Sequence, residues 1–210
     1  MIEIKDFHKA FYGQTLLKIP RLHLREGAYW LRGANGSGKT TFLKCLAGLL
    51  PYDGSLSIGG VEEKKERMPY RRLIHYSEGE PQYPSFLTGM DMVRFYQKVR
   101  GGSEGQLDIL SKHFGVGCFL KAKMGTYSSG MLKKLSLLLT FIGKPKWMLL
   151  DEPFNALEGE SCAALLALIE KERREGVSFL ITSHQPFSER WESQAQVLVL
   201  QNKTLLTLTR

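Results

Sequence analysis

Gly33-Ala34-Asn35-Gly36-Ser37-Gly38-Lys39-Thr40 fits the pattern G-x-x-x-x-G-K-[ST] at every specified place. An apolar stretch, Tyr29-Trp30-Leu31, leads in, and Thr41-Phe42-Leu43 opens an amphipathic helix behind it. The glycines let main-chain N–H groups close around a phosphate at a helix N-terminus, whose dipole favours anions. Lys39 is placed to reach the outer phosphates of a nucleoside triphosphate, and the Thr40 hydroxyl to ligate Mg²⁺. A chance glycine-rich turn before a helix is the plain alternative. The correct strand and helix on either side weigh against it, so the stretch predicts triphosphate binding on an α/β fold.

Outward from this loop, apolar runs bounded by turn residues predict strands at Met1-Ile4, Leu22-Leu24, Ala28-Leu31, Ser55-Ile58, Leu73-Tyr76, Trp147-Leu150, Ser178-Thr182, Gln196-Leu200 and Thr204-Thr207. Helical periodicity predicts Lys39-Leu49, Gly89-Val99, Gln106-Phe114, Ser129-Ile142 and Ser161-Glu175. The alternation points to a parallel core sheet. Residues 77–145 read as a helical subdomain inserted between two strands of that sheet, and residues 1–210 as a single domain.

The run Trp147-Met148-Leu149-Leu150 delivers Asp151 and Glu152 to the carboxyl end of a strand, where open parallel sheets bind their ligands. Asp151 suits a hold on Mg²⁺, and Glu152 suits a base that orients or deprotonates an attacking water. Acidic residues also end strands merely because those ends are exposed. The phosphate loop upstream favours the chemical reading.

At this point the chain resembles the ATP-binding subunit of an ABC transporter, over nearly its whole length, which implies an α/β P-loop NTPase fold of ABC ATPase type with an N-terminal antiparallel β portion beside the parallel sheet. Tyr127-Ser128-Ser129-Gly130-Met131 is similar to the family signature LSGGQ, before a helix and upstream of Asp151. Ser128 and Gly130 match; Tyr127, Ser129 and Met131 depart from it. The resemblance implies that Ser128 and Gly130 cap the γ-phosphate held by a partner subunit, whereas an ordinary Ser-Ser-Gly helix cap is the bland reading. Asn155-Ala156-Leu157-Glu158 resembles the loop that crosses the dimer interface, with Glu158 in place of the usual Asp. Ser183-His184-Gln185 resembles the switch segment, which implies that His184 contacts the γ-phosphate. Lys9-Ala10-Phe11-Tyr12-Gly13 resembles the segment that puts an aromatic ring on adenine, with Phe11 at the expected place and Tyr12 competing. At the family's Mg²⁺-sensing glutamine stands Gly79, flanked by Glu78 and Glu80, with Gln82 three residues late. Glu78, Glu80 or Gln82 taking over the contact, and its loss, all stay open.

The site implied is therefore Glu152 and His184 for catalysis; Phe11, Gly33, Ala34, Asn35, Gly36, Ser37, Gly38, Lys39, Thr40, Thr41, Ser128 and Gly130 for ATP; and Thr40 and Asp151 for Mg²⁺. The resemblance also implies transmembrane permease subunits as partners and a homodimer, or a heterodimer with a related ATPase. It places the chain on the cytoplasmic face of the inner membrane.

Composition agrees with these expectations. The 210 residues are 43% hydrophobic and 24% charged, enough apolar content for a packed core and too much for disorder. No uncharged stretch approaches the roughly 18 residues of a membrane helix, and Met1-Ile2-Glu3-Ile4-Lys5-Asp6 is not a secretory signal, so a cytosolic location is expected. Cys45, Cys118 and Cys162 match no metal or redox spacing, and Cys45 and Cys162 read as core residues. The net charge of +8 is local: Arg94 to Lys146 holds ten basic residues and two acidic ones, Glu104 and Asp108. That segment overlaps the part which faces the membrane partner in the family, giving the excess a reason in an anionic leaflet; a solvated lysine face is the alternative.

Three other readings compete. A non-transport ABC ATPase would carry a coiled-coil insertion or a second cassette, and this chain has neither; no nucleic-acid partner is expected. A small P-loop kinase has no reason to combine the signature, Glu152 and His184. A subunit that binds ATP with weak hydrolysis is prompted by Gly79 and opposed by Glu152 and His184. The Ser-Ser-Gly-Met signature and the short end after Thr204-Thr207 lean towards export.

Overall fold

The computed structural model describes residues 1–183 and 194–208. The chain opens with a long hairpin, β1 (Ile2–Phe11) and β2 (Gln14–Leu24), turning at Tyr12 and Gly13, both with positive φ. Left-handed conformations at both turn residues match the twist of a two-residue hairpin. β3 (Ala28–Arg32) then runs into the glycine loop, followed by α1 (Lys39–Leu46). β4 (Asp53–Ile58) and the short β5 (Val61–Glu62) complete a four-stranded antiparallel sheet, ordered β2-β1-β4-β5. A helix that periodicity did not predict, α2 (Arg67–Leu73), leads to β6 (Ile74–Ser77).

Between β6 and its parallel neighbour β7 (Trp147–Leu150) come α3 (Gly89–Arg100), α4 (Glu104–Phe114), a 3-10 turn at Met124–Thr126 and α5 (Ser129–Phe141). Each of these three helices starts on a hydroxyl cap: Thr88, Ser103 and Ser128. α6 (Gly159–Arg174), β8 (Ser178–Thr182), β9 (Gln196–Gln201) and β10 (Thr204–Leu208) complete the described elements.

The second sheet is ordered β10-β9-β3-β8-β7-β6, parallel from β9 to β6 with β10 antiparallel at its edge. Strand side chains alternate between faces, so each strand feeds two cores. Tyr29, Leu31, Trp147, Leu149 and Leu180 pack with α1 and the antiparallel sheet. Trp30, Met148, Leu150, Phe179 and Ile181 pack on the other face, against residues of α5 and α6. Burial on both faces explains why these strands read as unbroken apolar runs. Cys45 is buried as expected, whereas Cys162 is only partly buried and Cys118 is exposed. No helix among the described residues is long and apolar enough to cross a membrane.

Candidate nucleotide site

Three neighbouring parallel strands bring the site together. β3 ends in the Gly33–Thr40 loop, β7 in Asp151 and Glu152, and β8 in Thr182 and Ser183. The loop is tight. A side chain at Gly33 would stand 2.7 Å from Ser37 Oγ and 2.9 Å from the Leu200 carbonyl, and Gly38 caps α1 at φ 105°. Such a φ is open to glycine and strained for other residues. Ala34, Asn35, Gly36 and Thr40 are exposed, Thr41 is half-buried, and the Ser37 hydroxyl is buried with no protein partner among the described residues. That orphaned hydroxyl, beside a helix N-terminus without acidic residues in its first turn, fits an anionic ligand.

The Lys39 ammonium folds back onto its own loop, donating to the Gly33 carbonyl at 2.8 Å and the Ala34 carbonyl at 3.2 Å. Burial pulls its pKa below the usual range, and the charges of Glu152 and Asp151 oppose that shift. The two acids therefore bear electrostatically on the loop lysine.

Asp151 is buried and held from several sides. Its Oδ1 accepts from the Thr182 hydroxyl at 2.7 Å and its Oδ2 from the Tyr76 hydroxyl at 3.3 Å. Burial, and then the Asp151 charge, push the Tyr76 phenol up, so it stays a donor. Glu152 follows with φ 44°, a left-handed conformation unusual for a side-chain-bearing residue, and its N–H donates to Thr182 Oγ1 at 2.8 Å. Lys133 of α5 donates to the carbonyls of Glu78, Gly79 and Asp151. Burial lowers its pKa to about 8, with Asp151 and then Glu152 opposing.

At the glutamine position, a Cβ on Gly79 would lie 3.8 Å from Asp151 Oδ2, in ordinary van der Waals contact, so Gly79 adjoins the carboxylate without a close approach that demands glycine. Glu78 points elsewhere, pairing with Lys44 of α1 at 3.5 Å, and Glu80 and Gln82 are exposed. Asp151 and the exposed Thr40 carry oxygen donors of the kind Mg²⁺ takes along with substrate phosphates and water.

Ser128 is exposed at the N-terminus of α5 and its hydroxyl accepts the Met131 N–H at 3.2 Å. Gly130 packs closely on the 155–158 loop, where an added Cβ would stand 3.0 Å from the Ala156 carbonyl. Tyr127 serves the core: its hydroxyl donates to the Phe119 carbonyl at 2.7 Å. Phe11 is 42% exposed with the Lys9 ammonium 4.4 Å from its ring centroid, while Tyr12 is fully exposed at the turn. His184 lies outside the described residues.

Thr182, Tyr76 and Lys133 were not among the residues expected here. A threonine directly after the apolar Phe179-Leu180-Ile181 of β8 was one available signal. Another was the spacing of Lys133, Ser136, Leu137 and Thr140, which places the lysine on a buried helical face.

The family profile described as ABC transporter matches residues 17–155. The lantibiotic transport ATP-binding protein SrtF of Streptococcus pyogenes is 30% identical over 186 residues, covering 88% of this chain and 80% of that protein. The ABC transporter ATP-binding protein YybJ of Bacillus subtilis is 31% identical over 189 residues, covering 88% and 85%. The cytochrome c biogenesis ATP-binding export protein CcmA of Legionella pneumophila is 30% identical, covering 88% and 93%. A solved ATP-binding subunit of an ABC transporter superposes with a TM-score of 0.88 at 25% identity, covering 99% of this chain and 90% of that one.

Proposed function

The chain belongs to the ABC transporter family as an ATP-binding, ATP-hydrolysing subunit, and from that premise we propose that it drives export through a separate transmembrane partner. The observation that carries the chemistry is the placement of the Gly33–Thr40 loop and of Asp151 and Glu152 at the ends of β3 and β7, the two strands that flank β8 in the parallel sheet.

On this reading Lys39 leaves the Gly33 and Ala34 carbonyls for the outer phosphates of ATP, and the Ser37 hydroxyl finds its partner there. Mg²⁺, held by Thr40 and Asp151, supplies charge neutralisation at the phosphates. Glu152 orients the attacking water and takes its proton, with His184 as the second contact to the γ-phosphate. Phe11 stacks on adenine with its free face, the other being covered by Lys9. Ser128 and Gly130 close the site of a second subunit, so two chains, identical or related, work as a dimer around two ATP molecules.

A groove of about 1180 Å³, away from the nucleotide loop, lies between α2, α3, α4 and α6. Six lysines and arginines, Arg71, Lys98 and Lys144 among them, outnumber Glu172 and Glu175 in its lining, which also holds exposed Met68, Phe95 and Ile109. Its cationic and apolar walls suit a membrane partner's cytoplasmic segment that carries acidic and apolar residues. The chain then sits on the cytoplasmic face of the membrane. SrtF and CcmA bear the names of transport and export proteins, which favours the outward direction.

Affinity purification from gently solubilised membranes of the native host tests the assignment. A polytopic membrane protein is the expected companion, and its sequence narrows the cargo. Recovery with ribosomes, nucleic acid or soluble proteins alone moves the same ATP chemistry to a non-transport role.

A further inference from the structure

We propose that Lys133 is a positioning residue: it ties the helix carrying Ser128 and Gly130 to the strand ends carrying Gly79 and Asp151, and thereby sets where Glu152 emerges. The inference rests on reading Asp151 and Glu152 as the Mg²⁺-holding and water-activating pair.

Lys133 is 1% exposed. Its Nζ donates to the Glu78 carbonyl at 2.9 Å, the Gly79 carbonyl at 3.1 Å and the Asp151 carbonyl at 3.1 Å. An ammonium has three N–H donors, and three carbonyls engage them. These carbonyls follow two neighbouring parallel strands, β6 and β7, whereas the lysine comes from α5. One buried cation therefore joins three chain segments.

The consequence falls on a single peptide plane. The peptide between Asp151 and Glu152 has its C=O held by Lys133 and its N–H held by Thr182 Oγ1. With both ends fixed, the plane cannot swivel, and Glu152 leaves it at φ 44°. Strained backbone of this kind persists where its surroundings over-determine it, and Lys133 and Thr182 supply that determination from opposite directions. Gly79 adds no side chain to the arrangement, so the β6 end joins it through main chain alone.

Lys133 lies about one helical turn after Gly130 on α5, and Gly130 closely approaches the Ala156 carbonyl. The link from α5 to the peptide that aims Glu152 therefore runs through Lys133.

The test uses the full-length chain. K133M removes the ammonium at nearly constant side-chain length. Turnover at saturating Mg-ATP is expected to fall about tenfold or more, the scale seen when an outer partner of a catalytic group is lost. Affinity for a fluorescent ATP analogue in EDTA, read without turnover, is expected to stay within about twofold, because Lys133 makes no bond to the Gly33–Thr40 loop. K133Q keeps amide N–H donors and is expected to fall between K133M and wild type; it decides the matter if K133M does not fold. Turnover within about twofold of wild type in the deciding variant overturns the proposal. So does a loss of EDTA-phase binding in step with turnover, which is what a merely structural lysine produces. E152Q run alongside separates the two readings. If E152Q turns over at the wild-type rate, the acidic-pair reading fails; if E152Q is slow and K133M is not, only the role of Lys133 fails.

Discussion

The Thr182 hydroxyl donates to Asp151 Oδ1 at 2.7 Å, across two adjacent strand ends that lie 31 residues apart in sequence. The same oxygen accepts the Glu152 N–H, so one fully buried hydroxyl orients both acids of the site. T182V keeps the shape and removes both bonds, leaving a buried carboxylate oxygen and a main-chain N–H short of a partner. A loss of about 1–3 kcal/mol is expected in urea unfolding. Turnover should fall about tenfold or more. Unchanged turnover in a folded T182V would show that the acids orient themselves.

Glu152 is assigned the water. E152Q keeps the size and removes the basic oxygen, so nucleotide binding is expected to hold within about twofold while turnover falls at least about a hundredfold, the contribution typical of a positioned base. Equilibrium binding and steady-state phosphate release measure the two quantities separately. A wild-type rate in the presence of the membrane partner would remove Glu152 from that role.

Gly38 and Gly36 differ in what a methyl group would meet. At Gly38, φ is 105° and an added Cβ would lie 3.3 Å from the side chains of Leu16 and Leu17. At Gly36, φ is 74° and the space is open. G38A is thus expected to cost about 2–3 kcal/mol and most of the ATP affinity, and G36A only about 1 kcal/mol. Thermal unfolding and binding of a fluorescent ATP analogue report both. Equal losses would show that main-chain strain alone, and not contact with β2, sets the cost.

His75 gives the fold an acid-sensitive point. Its Nδ1 donates to the Thr140 carbonyl at 2.8 Å, and burial, helped by Arg100, lowers its pKa to about 3. Between pH 6.5 and 3 the unfolded chain therefore binds more protons at this position than the folded one. The histidine's contribution is whole above its unfolded pKa near 6.5 and declines as pH falls, by up to about 1.4 kcal/mol per pH unit. H75Q is expected to be less stable at pH 7 and to show a shallower decline from pH 6.5 to 4 in urea titrations. A parallel decline in both proteins would place the acid sensitivity elsewhere.

The phosphate loop, the acidic pair and the strands Trp147–Leu150 and Ser178–Thr182 were legible because their signals are local. A motif fixes residue types at fixed spacing, and strands buried on both faces are apolar without interruption. The hairpin of β1 and β2 was seen only at its ends, since His8, Lys18, Arg21 and other polar residues interrupt the pattern on its outer face. α2 was missed because Arg67–Leu73 is short and carries three arginines.

Sequence by itself determined that this chain runs an apolar strand into a glycine loop ahead of a helix and ends a buried strand in two acids. Tertiary structure alone decided that Thr182 and Tyr76 hold Asp151, and that Lys133, in sequence just one of the basic residues between Arg94 and Lys146, is buried on three carbonyls. Those partners lie from 18 to 75 residues apart. They meet because β6, β7 and β8 lie side by side in parallel register, and main-chain carbonyls, identical in every residue, leave no mark in a sequence until the sheet has placed them.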